Sequence, residues 1–166
     1  NYVKKIVFPL EILAWTSLGS ALFHALISAL VLIAFYGFLH HDLHWTMLLV
    51  PLLLLPLSLV TIGISWFLAS AGVFVRDIGQ ASGPLTTVML FLSPVFYPAG
   101  AFPEAYRILL YANPLTFLIT QAQDVLIWGR PPSWIGIGLY CAGSYLIAWC
   151  GLLWFQKTRK AFADVL

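Results

Sequence analysis

Four residues with metal-binding or acid–base side chains stand together in one short stretch: His40, His41, Asp42 and His44. On a helix, His40 and His44 would share one face, a spacing typical of zinc ligands. The sequence supplies neither a thiolate beside them nor a second histidine-rich segment that would complete a coordination shell. We therefore interpret the cluster as an exposed polar loop, and we expect no metal and no bound cofactor in this chain.

Catalysis or nucleotide binding finds little further support in the sequence. His24 is the one histidine within a long apolar segment, on a stripe with Ser20 and Ser28. We interpret it as a packing residue that hydrogen-bonds across a helix contact, with a substrate contact as the alternative. No lysine follows the G-x-x-x-x-G pattern of a phosphate-binding loop, so residues 1–166 carry no ATPase site of that kind. We expect a protein that is not an enzyme.

The composition is that of a membrane protein. Hydrophobic residues make up 61% of the 166 residues and charged residues 8%, whereas a soluble domain carries about 25% charged residues. The net charge of +2 comes without a basic stripe, so we expect no nucleic-acid partner. Four stretches without charge are each long enough for the roughly 20 residues that cross a bilayer: 12–41, 43–75, 78–103 and 131–156.

The predicted fold class is an all-α integral membrane protein with a single transmembrane domain. It comprises four transmembrane helices and a re-entrant two-helix hairpin on the outer side. The spans are predicted at 14–39, 46–72, 81–98 and 134–155, with a cytoplasmic tail at 156–166. Since the sequence opens on Asn1 without a methionine, we expect it to be the C-terminal part of a longer membrane protein.

The hairpin is predicted over 103–129, where the apolar sequence is interrupted in its middle. Asn113 is a good N-cap and Pro114 a good first helical residue, and Gly129 stands where a glycine commonly ends a helix. A helix over 114–128 would be about 22 Å long at 1.5 Å per residue, too short to cross. We predict two short helices that enter from the outer face and turn back, with a helix resting on the outer leaflet as the alternative.

Such a hairpin is typical of a gate or a pathway wall. Backbone breaks at membrane depth are tolerated only where they are buried in protein or line a water-filled cavity. The second short helix also has a polar sector, comprising Thr116, Thr120, Gln121, Gln123 and Asp124.

The distribution of basic residues predicts the orientation. With four spans, six basic residues share one side: Lys4, Lys5, Arg76, Lys157, Arg159 and Lys160. Only Arg107 and Arg130 lie on the other side. A fifth span through the hairpin would leave four on each side. Because positive charge accumulates on the cytoplasmic side, we predict four spans with a cytoplasmic C-terminus.

Aromatic residues lead from the third predicted span into the hairpin, in the run LFLSPVFYPAGAFP. Aromatic rings in a membrane usually face lipid or the protein core, but flat rings also stack on sugar rings. Phe91, Phe96 and Tyr97 are therefore candidates for contact with a sugar.

Three segments together resemble a known family: NYVKKIVFPLEIL, VFVRDIGQ and LSPVFYPAGAFPEAYRILLYANPLTFLITQAQDVLIWG. They resemble the permease subunits of type 2 ABC exporters, and more narrowly the branch that exports O-antigen, capsule and teichoic-acid polysaccharides. The resemblance covers the whole chain, which would correspond to the last four of six spans. It implies a multi-pass homodimer in the bacterial cytoplasmic (inner) membrane, surrounded by membrane lipid. It also implies a lipid-linked glycan as substrate and separate ABC ATPase subunits that bind ATP and Mg.

The resemblance assigns three groups of site residues. The side on which the ATPase subunits dock carries Lys4, Lys5, Phe8, Pro9, Glu11, Arg76 and Asp77. The third span here would line the translocation channel at the dimer axis, with Phe91, Phe96 and Tyr97. The outer gate hairpin contains Tyr106, Arg107, Asn113, Pro114, Gln121 and Asp124.

Three other functions stay open from the residues alone. An ABC exporter of drugs or lipids would favour a narrower, apolar path. An integral membrane transferase acting on lipid-linked sugars would need an acidic or histidine constellation, for which Asp77, Asp124 and His24 are the candidates. A structural scaffold would be insensitive to straightening the break at Asn113 and Pro114.

Overall fold

A computed structural model describes residues 11–40, 43–75, 77–97 and 107–159. These residues form helices and short connections and contain no strand, which confirms the predicted all-α class. The six α-helices of the described ranges are α1 (Glu11–His40), α2 (Val50–Phe74), α3 (Asp77–Phe91), α4 (Arg107–Ala112), α5 (Pro114–Leu126) and α6 (Trp134–Thr158). A 3₁₀ helix, Trp45–Leu49, leads into α2.

Three stretches within the described residues are long and apolar enough to cross a membrane. They are Ile12–Leu39 with 28 residues, Trp45–Phe74 with 30 and Trp134–Thr158 with 25. They coincide with the predicted first, second and fourth spans. The expected multi-pass membrane protein is therefore supported by the length and the apolar composition of its helices.

The third predicted span, 81–98, differs from the helix found there. α3 has 15 residues and ends at Phe91, which makes it about 22 Å long at 1.5 Å per residue. The helix ends because Pro94 lacks a backbone N–H and disfavours a helical conformation at Ser93. The Ser93 amide instead donates to the Leu90 carbonyl at 3.3 Å in a closing turn. A crossing by this segment stays a prediction.

The core of the fold is the pair α2 and α6, which run parallel. Ile137 at the start of α6 packs in a cluster with the first turns of α2. Gly63 and Gly151 meet near the middle, where a Cβ added to Gly151 would lie 2.3 Å from the Gly63 carbonyl oxygen. Farther along, the rings of Phe67 and Trp154 lie 5.6 Å apart. Glycines at the crossing point let the two backbones touch, as in many membrane helix pairs.

α1 packs antiparallel to α2. The N-terminal part of α1 covers the C-terminal halves of α2 and α6. The Trp15 and Trp66 rings lie edge to face at 6.2 Å. The central cluster comprises Ala14, Leu18, Ile62, Trp66, Ala148 and Phe155. Most of α1 is exposed, including His24, whose ring lies 6.0 Å from that of its sequence neighbour Phe23. The expected packing of His24 against another helix stays a prediction.

Candidate functional site

The chain breaks at Asn113, as the sequence predicts. Asn113 has extended backbone angles (φ −76°, ψ 119°), and its side-chain Oδ1 accepts a hydrogen bond from the Leu115 amide at 3.0 Å. Pro114 is the first residue of α5, where its missing N–H leaves no partner unsatisfied. The Thr116 hydroxyl reaches back to the Leu110 carbonyl at 2.6 Å and ties α5 to α4. Two short helices joined at Asn113 are therefore confirmed.

The far end of α5 has the predicted glycine. Gly129 has a φ of +62°, in the left-handed region that favours glycine. The next amide, that of Arg130, donates to the Asp124 carbonyl at 2.9 Å and so satisfies an end carbonyl of α5. A Cβ on Gly129 would lie 2.3 Å from the imidazole of His44, which packs directly on the glycine.

The C-terminal part of α1 and the 3₁₀ helix before α2 hold this end of α5 in place. The Thr46 hydroxyl is buried and donates to the Val125 carbonyl at 2.8 Å. The Tyr36 hydroxyl donates to the Ile127 carbonyl at 3.3 Å. Val125 itself is fully buried in the cluster at the start of α2. The C-terminal end of α5 is therefore anchored to the core pair.

The other side of the hairpin is joined to the turn that follows α3 by a cluster we call the clasp: Ser93, Pro94, Asn113 and Gln123. The Asn113 amide Nδ2 donates to the Ser93 hydroxyl at 2.8 Å and approaches the Met89 carbonyl at 3.4 Å. The Gln123 amide donates to the Pro94 carbonyl at 2.8 Å. Ser93 and Asn113 are only 1% and 4% exposed, so water does not compete for these bonds.

α5 lies antiparallel to the first turns of α6. Gln121 accepts from the Ser133 amide at 2.7 Å, before α6 begins. Phe117 stacks on Tyr140 at 5.7 Å with a 19° angle between the rings. The Tyr140 hydroxyl also donates to the Pro114 carbonyl at 2.9 Å. The Asn113–Pro114 break is therefore level with Tyr140, which is about 9 Å along α6 from Trp134 at 1.5 Å per residue.

The predicted pathway aromatics lie on the outside of this arrangement. Phe91 and Phe96 are 65% and 69% exposed. Tyr97 is half-buried, and its hydroxyl donates to the Phe91 carbonyl at 2.8 Å. The two phenyl rings thus form an apolar surface beside the clasp. Contact with a sugar stays a prediction.

The remaining predicted site residues are only partly described. Asp77 is exposed and begins α3, where a carboxylate is favourable. Asp124 and Gln121 are half-buried on α5. Only the backbone is described for Glu11 and Arg107. The other predicted coupling and gate residues lie outside the described residues: Lys4, Lys5, Phe8, Pro9, Arg76 and Tyr106.

The histidine cluster is likewise described only in part. His41 and Asp42 lie outside the described residues, and only the backbone of His40 is described. Among the side chains that are described, no three of His, Cys, Asp and Glu lie close enough to hold a metal ion. His44 is half-buried, and its Nδ1 is buried without a hydrogen-bond partner in the described part of the chain.

Sequence reasoning did not identify Ser93, Thr46 and Tyr140 as partners of the hairpin. Each is a hydroxyl in apolar sequence that bonds a group far away along the chain. A hydroxyl in an apolar segment can be recognised in the sequence as a group that needs a hydrogen-bond partner when it is buried. The sequence does not show which group is that partner.

The sequence of the chain is similar to those of known transport proteins. Residues 1–127 match the family described as ABC-2 type transporter. An O-antigen export system permease protein RfbA from Klebsiella pneumoniae is 27% identical over 168 residues, covering 99% of this chain and 63% of that protein. The protein of the same description from Myxococcus xanthus is 26% identical over 169 residues, with 99% and 64% covered. The chain thus spans a little under two thirds of the length of these relatives.

Proposed function

The chain belongs to the ABC-2 type transporter family, and on that basis we propose that it is the permease subunit of an ATP-driven exporter. Its cargo is a lipid-linked polysaccharide of the O-antigen, capsule or teichoic-acid type, which it moves across the bacterial cytoplasmic membrane. One observation carries this proposal. The hairpin of two short helices, α4 and α5, has its buried break level with the second turn of a membrane-length helix, α6.

The parallel packing of α2 and α6 supports the four-span topology. Two parallel spans cross the membrane in the same direction, so the segment between them, 75–133, has to cross back an odd number of times. α3 begins where α2 ends, and we assign the return crossing to α3 and the turn after it. α4 and α5 then enter and leave by the same face, as a re-entrant hairpin.

The polar contacts of the hairpin support a gate within the membrane rather than a helix lying flat on its surface. A surface helix keeps its polar groups in the headgroup region, whereas Asn113 and Thr116 are 4% and 2% exposed and bond to the Ser93 hydroxyl and the Leu110 carbonyl. A backbone break in the hydrocarbon region needs that kind of internal satisfaction. The hairpin would then close the outer end of the pathway.

The exposed face of α3 supports a pathway shared with a second copy of the chain. α3, described over its full length, has no buried residue. Its outer end carries Phe91, with Phe96 just beyond it. We assign this face to the dimer axis, where two copies would enclose the glycan between aromatic side chains.

The energy would come from a separate subunit. ABC ATPase subunits that bind ATP and Mg would dock on the cytoplasmic side, against the loop at Arg76 and Asp77 and the segment that contains Lys4, Lys5 and Glu11. The basic side of the predicted topology is the same side, which supports a cytoplasmic C-terminus.

The identity of the cargo is supported by the similarity to the two O-antigen export permeases over nearly the whole chain. One observation favours a second candidate, an exporter of apolar amphiphiles. The exposed face of α3 is rich in apolar side chains, including Leu85 and Val88. The hydroxyls of Thr86 and Thr87 donate hydrogen bonds to carbonyls of their own helix. This face therefore offers few polar groups to a sugar.

Deletion of the gene tests the proposal directly. We expect lipid-linked glycan to accumulate on the cytoplasmic side and surface glycan to be lost, with the wild-type gene restoring both. The double change Asn113→Ala and Pro114→Ala should fail to restore export, whereas the control Thr61→Ala, which alters a bond inside α2, should succeed. Normal surface glycan in the deletion strain, together with accumulation of an amphiphilic dye, would replace the first candidate with the second.

A further inference from the structure

α3 contacts α2 near its inner end, and the turn at its outer end is hydrogen-bonded to the hairpin. Over its full described length, Asp77–Phe91, it contributes no buried residue. Ser93 and Pro94, directly after it, are by contrast among the most deeply buried residues of the chain. A helix that is exposed along its length and anchored at its buried outer end can tilt about that end.

We propose that the clasp is the pivot on which α3 tilts during transport. Ser93, Asn113 and Gln123 are then positioning residues: they keep the outer end of α3 fixed to α5 while its inner end moves. The proposal rests on the proposed function, since it supposes a transport cycle driven from the cytoplasmic side. The outer hairpin and α3 then stay together when the gate opens.

The chemistry of the clasp favours a contact that stays closed. Separating α3 from α5 would leave the Asn113 amide, the Ser93 hydroxyl and the Pro94 carbonyl without partners. In a buried site each such group has to be desolvated without compensation, which makes opening unfavourable. Two bonds from different turns of α5 also fix the position of the Ser93–Pro94 turn more firmly than one bond would.

α5 is itself fixed, which makes it suitable to carry a pivot. Its C-terminal end is bonded to Thr46, and its N-terminal end to Tyr140 on α6. Val125 and Leu118 are buried at 0% and 5% exposure. Movement of α3 therefore has a stationary element to turn against.

Cysteine cross-linking tests whether the clasp stays closed. Ser93→Cys and Asn113→Cys are introduced together into the full-length permease with its ATPase, with Cys141 and Cys150 replaced by alanine. Membranes are treated with a short thiol-reactive cross-linker with and without ATP, and each single-cysteine variant controls for links between copies. We expect equal cross-linking yields in the two conditions, and more export by the linked protein than by the unlinked protein, in which both partners of the bond between Ser93 and Asn113 are replaced. A clear fall in yield with ATP, or loss of export that reduction restores, would overturn the pivot.

Variants that weaken the clasp give a second, independent readout. Asn113→Ser keeps a side chain that can cap α5 but is too short to reach Ser93, and Gln123→Leu removes the bond to Pro94. Together they should lower export by about tenfold or more while ATP hydrolysis continues, since a free outer end of α3 uncouples the two. The control Thr61→Ala, which alters a bond inside α2, should change neither rate. Wild-type export by the double variant would contradict the proposal.

The cross-linking yield does not depend on the cargo. The hypothesis that the cargo is a glycan and the hypothesis that the clasp is a pivot can therefore be refuted independently. Normal surface glycan in the deletion strain would remove the proposed cargo and leave the yield with and without ATP as the test of the pivot. An ATP-dependent loss of cross-linking in a strain that needs the protein for its surface glycan would remove the pivot alone.

Discussion

Replacing Gly151 by alanine should push α2 and α6 apart. The added Cβ would lie 2.3 Å from the carbonyl oxygen of Gly63 and 2.9 Å from its carbonyl carbon and Cα. All three are backbone atoms, which cannot turn aside as a side chain can. Restoring ordinary contact requires the helices to separate by about 1 Å, and overpacking of that kind costs about 1–3 kcal/mol.

Gly143 on the same helix provides the matched control. A Cβ added there meets nothing within 4 Å. Glycine to alanine in a helix interior is favourable by about 1 kcal/mol, and this gain is common to both variants. The difference in unfolding free energy between Gly151→Ala and Gly143→Ala therefore isolates the clash, and we expect Gly151→Ala to be the less stable by about 1–3 kcal/mol.

Equilibrium unfolding of the full-length protein in mixed detergent micelles, followed by tryptophan fluorescence, measures this difference. Gly63→Ala should act in the same direction, because its Cβ would lie 2.7 Å from the Ile147 carbonyl oxygen. The double variant at Gly63 and Gly151 should lose less than the sum of the two, since the first change already separates the helices. Equal or greater stability of Gly151→Ala relative to Gly143→Ala would refute backbone contact between α2 and α6.

Three further predictions concern the hairpin and its surroundings. Asn113→Leu removes both the helix cap and the clasp bond of Asn113, and it should lower the unfolding free energy by about 2–4 kcal/mol. Asn113→Ser keeps the cap and should lower it by roughly half as much. Equal losses for the two variants in the same titration would contradict a capping contribution. Gly129→Ala should cost about 1–2 kcal/mol because of its positive φ, and adding His44→Ala should restore part of the stability lost to the clash with the imidazole; no recovery would mean that the ring does not rest on the glycine. Phe96→Ala should change the unfolding free energy by less than about 0.5 kcal/mol, since the ring is exposed, yet reduce glycan export; unchanged export would remove Phe96 from the pathway.

Local rules predicted the parts of the fold that depend on neighbours in sequence. Asn113 caps α5, Pro114 begins it and Gly129 follows its end with a positive φ, because capping and left-handed backbone depend on a few adjacent residues. Long apolar stretches likewise predicted the three membrane-length helices. These features can be predicted without knowing which other parts of the chain the helices contact.

The contacts that give the hairpin its role could not be predicted in this way. The bond between Ser93 and Asn113 joins residues twenty positions apart, and its existence depends on where α3 ends. That end came earlier than hydropathy indicated, since the apolar run continues past Phe91 while Pro94 stops the helix. The stripe of small residues beside His24 predicts a helix contact, and that contact stays a prediction.

Labelling from the two sides of the membrane tests the topology most directly. In a cysteine-free background, Arg130→Cys lies just after the hairpin and Lys157→Cys lies at the end of α6. We predict that a membrane-impermeant maleimide added to intact cells labels the variant at Arg130, and labels the variant at Lys157 only after the cells are permeabilised. Labelling of the Lys157 variant in intact cells would contradict the re-entrant hairpin and the transport pathway built on it.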